Sequence, residues 1–181
     1  MKRVIGIVGM PGSGKSIADE VAREFSFSVL IMGDIVREEV KKRGLILNPE
    51  NIGKVMIKIR MEEGSAVVAK ICITKINFSS TRVLIEGLRS LDEVHEFRKK
   101  FPNFSLIAIH ASPKVRFHRI FGRNRSDDPK DWYVFQERDL REVNVGIGSV
   151  IALAEHMIIN EGSLQSFKIK LRKCLKAILS E

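Results

Sequence analysis

The sequence predicts an α/β protein: a five-stranded parallel sheet covered on both faces by helices, in three α/β/α layers. Three observations carry this expectation. Short apolar runs fall at 3–8, 27–32, 82–86, 104–110 and 156–159. Segments with helical spacing separate them. The first run leads straight into a glycine-rich turn that opens the first helical stripe.

Taken in order, the run at 3–8 precedes Gly9-Met10-Pro11-Gly12-Ser13-Gly14-Lys15-Ser16, and Ile17, Ala18, Val21, Ala22 and Phe25 then mark one side of a helix. After the run at 27–32 comes Gly33-Asp34-Ile35-Val36-Arg37, where Asp34 is suited to cap a helix and Arg37 lies one turn further in. Asn48-Pro49-Glu50 reads as an N-cap with proline at the first helical position, and Ile52, Val55, Met56 and Ile59 continue that helix. Residues 44–78 therefore form a long helical insertion without a strand, placed to act as a mobile flap. Glu86-Gly87-Leu88-Arg89 follows the third run. The segment 112–141 is rich in cations: Lys114, Arg116, Arg119, Arg123, Arg125, Lys130, Arg138 and Arg141. Beyond the last run, Leu164, Phe167, Leu171, Leu175 and Ile178 form the final helical stripe.

Composition narrows the class. The chain has 181 residues, 44% hydrophobic and 29% charged, which fits one globular domain spanning 1–181 and excludes a disordered tail, a collagen-like fibre and a disulfide mini-protein. No apolar run approaches the roughly 18 residues of a membrane span. The start, Met1-Lys2-Arg3, is followed by a run broken by Gly6 and Gly9, unlike a secretory signal, and the expected compartment is the cytoplasm. Cys72 and Cys174 sit in apolar helical patterns and read as reduced core residues. Thirty-one basic against 22 acidic residues give a net charge of +9, which attracts phosphates of a nucleotide, a nucleic acid or a membrane surface. His95, His110, His118 and His156 match no metal-site spacing.

Residues 9–16 fit G-x-x-x-x-G-K-[ST] in full. Glycines let successive backbone N–H groups point into one concavity, and the following helix adds its positive end. Lys15 reaches the β- and γ-phosphates of a nucleoside triphosphate, and the Ser16 hydroxyl takes a position on Mg²⁺. The rest of the chain must say what the triphosphate serves. There is no Asn-Lys-x-Asp motif to read guanine and no room for the added lid domain of an AAA motor. Instead, arginines cluster at the carboxyl ends of the expected strands, where open α/β sheets bind ligands. Arg119 and Arg123, four residues apart, share one helix face. Phosphoryl transfer between anionic nucleotides needs several such charges, and one arginine there is worth about three to five powers of ten in rate. Glu86, at a strand end beside the phosphate loop, is placed to hold Mg²⁺ through water. Trp132 and Tyr133 are placed either to stack on a base or to pack.

In their order along the chain, Gly9–Ser16, Gly33-Asp34-Ile35-Val36-Arg37, Glu86-Gly87-Leu88-Arg89, Arg119-Ile120-Phe121-Gly122-Arg123 and Asn160-Glu161-Gly162 resemble the adenylate kinase family of P-loop nucleoside monophosphate kinases. The whole chain looks like an archaeal branch of adenylate-kinase-related proteins, which is also similar to dephospho-CoA kinases. The resemblance implies ATP and Mg²⁺ as cofactors and AMP as the first acceptor. It implies that Lys15 holds the β/γ-phosphates, that Arg37 and Arg89 grip the acceptor phosphate with Asp34 and Glu93 beside it, and that Arg119 and Arg123 sit at a lid hinge. Arg138, and then Arg141, would swing in on closure, and 160–162 would line the adenine pocket through Asn160 and Gly162.

Four departures stand out. Glu86 replaces the family's usual aspartate, the lid at about 122–132 is short and without zinc cysteines, the proline before Arg89 is missing, and Glu93 replaces the glutamine that reads the acceptor adenine. An ionised glutamate accepts but cannot donate, so the acceptor base stays open. Two other readings remain: transfer to a hydroxyl, as in dephospho-CoA kinases, with Asp34 as base; and a nucleotide-switched ATPase with an RNA-rich partner. The basic helices lack the interleaved aromatics of a single-strand stacking platform.

Overall fold

The computed structural model describes residues 2–76, 80–123 and 128–180. Five strands and nine helices alternate among the described residues: β1 (Arg3–Val8), α1 (Lys15–Glu24), β2 (Ser28–Ile31), α2 (Met32–Lys42), α3 (Pro49–Glu63), α4 (Val67–Lys75), β3 (Arg82–Glu86), α5 (Leu91–Lys100), β4 (Phe104–His110), α6 (Pro113–Arg123), α7 (Trp132–Val145), α8 (Ile147–Ala152), β5 (His156–Ile159) and α9 (Leu164–Ser180). The strands form one sheet in the order β2-β3-β1-β4-β5, and every pairing is parallel. This is the three-layer α/β/α plan of a P-loop kinase-like fold.

The alternation of side chains along each strand divides the core in two. Val4 and Val8 of β1 join Val83, Ile85, Leu106 and Ala108 beneath apolar residues of α2, α3, α4, α5 and α8. Ile5 and Ile7 face the other way, with Leu84, Ile107, Ile109 and Ile158, beneath α1 and α9. Both faces are dry along the central strands β1, β3 and β4, which is why these read as unbroken apolar runs rather than as alternating ones. Gly6 permits close approach on one face, since a Cβ there would lie 2.6 Å from the Phe104 ring.

The second strand ends one residue earlier than its apolar run. Met32 is buried in the core and already begins α2, with Ile31 as its N-cap and no capping side chain. Asp34 is therefore not the expected cap; it lies in the first turn, where the positive helix end still favours it. The start of α3 follows expectation, since Asn48 accepts a hydrogen bond from the Asn51 N–H at 2.8 Å and Pro49 occupies the first turn. Between β2 and β3 the described residues contain helices and no strand, and 77–78 of the expected insertion lie outside them. Val55, Met56, Ile59, Val67, Val68 and Cys72 pack α3 and α4 into the core. Burial pushes the Cys72 thiol up to about 12, which leaves it inert, while Cys174 is half-buried; neither forms a disulfide.

Helix α7 leans on α6 through a ring cluster. Trp132 meets Phe117 edge-on at 5.2 Å and lies 5.3 Å from Phe135, which itself is 5.4 Å from Phe117. No helix among the described residues is long and apolar enough to cross a membrane.

Candidate active site

The loop between β1 and α1 owes its shape to two glycines and three outside clamps. Gly12 and Gly14 adopt φ of +81° and +106°, a region that side chains disfavour. A Cβ on Gly14 would also lie 2.4 Å from the Asn160 amide. That amide donates to the Ser13 carbonyl at 2.8 Å, and Arg119 in turn donates to the Asn160 carbonyl at 3.0 Å. From the other side Arg116, almost fully buried, donates to the Pro11 carbonyl at 3.1 Å and grips Asp139 of α7 with both nitrogens, at 2.8 and 2.5 Å. The Lys15 ammonium folds back onto the carbonyls of Gly9 (2.7 Å) and Met10 (3.4 Å). Burial pushes it below its ordinary pKa, and the nearby Glu86 charge opposes that shift. A buried ammonium held only by backbone carbonyls is a ready partner for an anion.

A cavity of about 560 Å³ opens at the carboxyl ends of the strands, with the loop as its floor. Pro11, Gly12, Gly14, Lys15 and Ser16 line it from the loop, and Arg119, Arg123, Asn160 and Gly162 from the α6 and β5 side. Gly33 and Arg37 of α2, Glu86 and Arg89 after β3, and Arg138 and Glu142 of α7 line the opposite wall. Ile17, Ile31, Ile120, Leu164 and Phe167 give it apolar surface. Each arginine on the wall already has an oxygen to hold. Arg37 pairs with Asp34 at 2.5 Å, Arg89 with Glu142 at 2.7 Å, and Arg123 with Asp128 through two bonds at 2.9 and 2.5 Å. Arg138 lies 3.7 Å from Asp128. Burial alone would raise the Glu142 carboxyl; Arg89, with Lys15 and Arg138, more than offsets this and holds it below the usual range.

A second acidic group stands next to Ser16. Asp19 lies three residues further along α1, is only 8% exposed, and its carboxyl is hydrogen-bonded to that of Glu86. Burial and then Glu86 push Asp19 up to about 8, so the Asp19 carboxyl holds a proton at neutral pH. Among the described residues no trio of His, Cys, Asp or Glu is arranged to hold a metal. Two carboxyls and a hydroxyl lining one cavity nevertheless suit a hard cation that also takes oxygens from a bound phosphate.

Some expected site residues stand elsewhere. Gly9, Met10 and Ser13 shape the loop from behind and do not line the cavity. Asp34 is likewise off the wall and is engaged by Arg37. Glu93 does not face the cavity at all. It is fully buried, accepts from the Arg89 N–H at 2.7 Å and forms a capping box with Ser90 at the start of α5. Its other oxygen accepts from Arg60 of α3 at 2.6 Å. With both oxygens occupied and no exposed surface, it has no edge to offer a base. Arg141 does not line the cavity, and Arg125 with the stretch 124–127 of the short lid lies outside the described residues. Trp132 packs and Tyr133 is exposed; neither lines the cavity. Asp19 and Glu142 went unnoticed in the sequence. For Asp19 a signal existed, an acid on the apolar face of α1 four residues after Lys15; for Glu142 there was none, since Arg89 is 53 positions away.

Fold and loop together define a P-loop kinase-like domain. The chain belongs to the family described as an AAA domain, whose model matches residues 8–134. It also belongs with the UPF0200 proteins: it is 47% identical over 180 residues to one from Methanococcus maripaludis strain C7, with 98% of both chains covered. It is 48% identical to one from Methanocaldococcus jannaschii, covering 98% of this chain and 91% of that one. Among solved structures it is similar in fold to shikimate kinase from Acinetobacter baumannii in complex with shikimate (TM-score 0.61, 16% identity, 99% of this chain and 94% of that chain). A gluconokinase from Sinorhizobium meliloti 1021 is also similar (TM-score 0.57, 14% identity, 97% and 93%).

Proposed function

We propose that this protein transfers the terminal phosphoryl group of ATP to a nucleoside monophosphate, AMP first among them. One observation carries the reading: a single cavity holds the phosphate loop with Lys15 at its floor and Arg37 and Arg89 on the opposite wall, with Arg119, Arg123 and Arg138 also lining it. That is the charge distribution needed to hold two anionic groups in line, and positioning with charge stabilisation supplies most of such catalysis.

In this reading the loop N–H groups and Lys15 hold the β- and γ-phosphates, Lys15 exchanging its carbonyl partners for phosphate oxygens. Asn160 and Gly162 border the adenine, and Arg119 holds Asn160 in place. Arg123 and Arg138 neutralise the transferring group, moving off Asp128 as they do so. Arg37 and Arg89 take the acceptor phosphate in exchange for Asp34 and Glu142. Ser16, and Glu86 through water, would hold Mg²⁺, which when bound supplies charge neutralisation at the β- and γ-phosphates.

One observation favours a second acceptor class. Glu142 is a buried carboxylate on the cavity wall, where an acceptor hydroxyl can reach it, whereas Asp34 stands off the wall. The solved neighbours named as a shikimate kinase and a gluconokinase are in keeping with such an acceptor.

Calorimetric titration with AMP, CMP, GMP and dephospho-CoA, each with and without a non-hydrolysable ATP analogue, tests both. Binding of one monophosphate that Arg37→Ala and Arg89→Ala each abolish supports the leading reading. Binding of dephospho-CoA alone, with transfer abolished by Glu142→Gln, favours the second. Binding of the ATP analogue with no acceptor at all overturns both.

A further inference from the structure

We propose that Asp19 completes a divalent-cation site with Ser16 and Glu86, and that this site takes up its cation before any nucleotide arrives. In its role in the reaction the proposal rests on the nucleotide reading above; the binding itself does not.

The first argument is an orphaned atom. Asp19 is more than nine-tenths buried, lines the cavity, and its Oδ1 is shielded from solvent without a hydrogen-bond partner. Natural interiors rarely leave such an oxygen without a role, because its desolvation is uncompensated. The second is a like-charge contact: the same carboxyl meets that of Glu86, and two carboxylates stay in contact only when a proton or a cation lies between them.

The third is that, among the described residues, no cationic side chain pairs with either carboxyl directly; Lys15, Arg23 and Arg89 act on them only through space. Lys15 is turned to the carbonyls of Gly9 and Met10, and Arg89 to Glu142. The fourth is register. Positions 16 and 19 are three apart on α1, so hydroxyl and carboxyl stand on one helix face, with Glu86 reaching them from the end of β3.

The donor set is entirely oxygen, which selects hard cations such as Mg²⁺ and Mn²⁺ over softer metals. A P-loop site with one hydroxyl and one carboxylate relies on phosphate oxygens and water for its Mg²⁺. Once the cation displaces the proton between the two carboxyls, the second carboxylate supplies charge that the phosphates would otherwise bring, so the pair matches a dication without nucleotide. The cation then enters the cavity first and the nucleotide meets a prepared positive centre.

The test is direct. Mn²⁺ binding to the nucleotide-free protein is followed by loss of the free-ion electron paramagnetic resonance signal, for the wild type, Asp19→Asn, Glu86→Gln, and Glu20→Gln on the exposed side of α1 as control. Wild type and control should bind one ion alike, and Asp19→Asn and Glu86→Gln should each bind about tenfold more weakly or worse. ATP affinity is measured alongside in EDTA. There Asp19→Asn should bind ATP about as tightly as wild type, because the carboxamide keeps the size of a side chain that then has no cation to hold.

Equal Mn²⁺ binding by wild type and the two carboxamide variants overturns the proposal. So does an Asp19→Asn protein that loses ATP binding in EDTA, since Asp19 would then be supporting the loop itself. A wild type that binds Mn²⁺ but no ATP, either in EDTA or with Mn²⁺ saturating, would sink the nucleotide reading and leave the cation site standing.

Discussion

The two halves of the cavity are built on different principles. The floor is made of backbone, with glycines at positive φ and carbonyls pinned from outside by Asn160 and Arg116. The walls are made of long side chains, with arginines tied to carboxylates of the protein, as in Arg37–Asp34, Arg89–Glu142 and Arg123–Asp128. A ligand reaching the floor finds dipoles already in place, whereas a ligand reaching the wall must exchange with a resident partner. The first half is preorganised; the second is a set of ion pairs waiting to be traded.

Substitutions that separate the halves should differ in both size and kind. Lys15→Ala strikes the floor and is expected to lower phosphoryl transfer about a thousandfold or more, with acceptor binding little changed, as read by coupled turnover and by calorimetry.

Glu142→Gln leaves Arg89 on the wall without its charge and should destabilise the protein by about 3–5 kcal/mol in urea titration at neutral pH. The pH dependence follows from the lowered carboxyl. Its contribution is present above the unfolded carboxylate range and fades as pH falls through the lower folded value, so the gap between variant and wild type should close in acid. A gap that stays constant down to the acid limit would mean that shape, and not charge, holds this pair.

The smallest effect on stability is expected from Arg37→Ala. Its ion pair with Asp34 is about half exposed, so unfolding free energy should move by no more than about 0.5 kcal/mol while acceptor affinity drops. A large loss of stability here would place Arg37 with the fixed parts of the molecule.

The same contrast explains what could be read in advance. The floor is one contiguous stretch, Gly9 to Ser16, whose residue types are dictated by backbone geometry, so the string of letters carries it. The central strands were visible because both faces of the sheet are dry there. The wall is assembled from α2, β3, α6 and α7, and nothing local announces that Arg89 will meet Glu142.

Glu93 is instructive. Likeness to adenylate kinases put it beside the acceptor, yet Ser90-Leu91-Asp92-Glu93 is itself a capping-box pattern, and that local demand is the one the fold meets. Asp34 shows the converse: the letters suit a cap, but the buried Met32 starts the helix before it. Asp19 was hidden by an apolar stripe, Ile17-Ala18 and Val21-Ala22, that made its face look like plain core.

The ring cluster at the start of α7 has an experimental consequence. Trp132 is the sole tryptophan of the chain, wedged edge-on against Phe117 of α6, and the helix it begins carries Arg138 and Glu142 to the cavity wall. The protein therefore contains its own fluorophore at the base of the element that would have to shift when those pairs are traded. Any tilt of α7 against α6 alters the indole's surroundings, and stopped-flow emission can follow it in real time without a label.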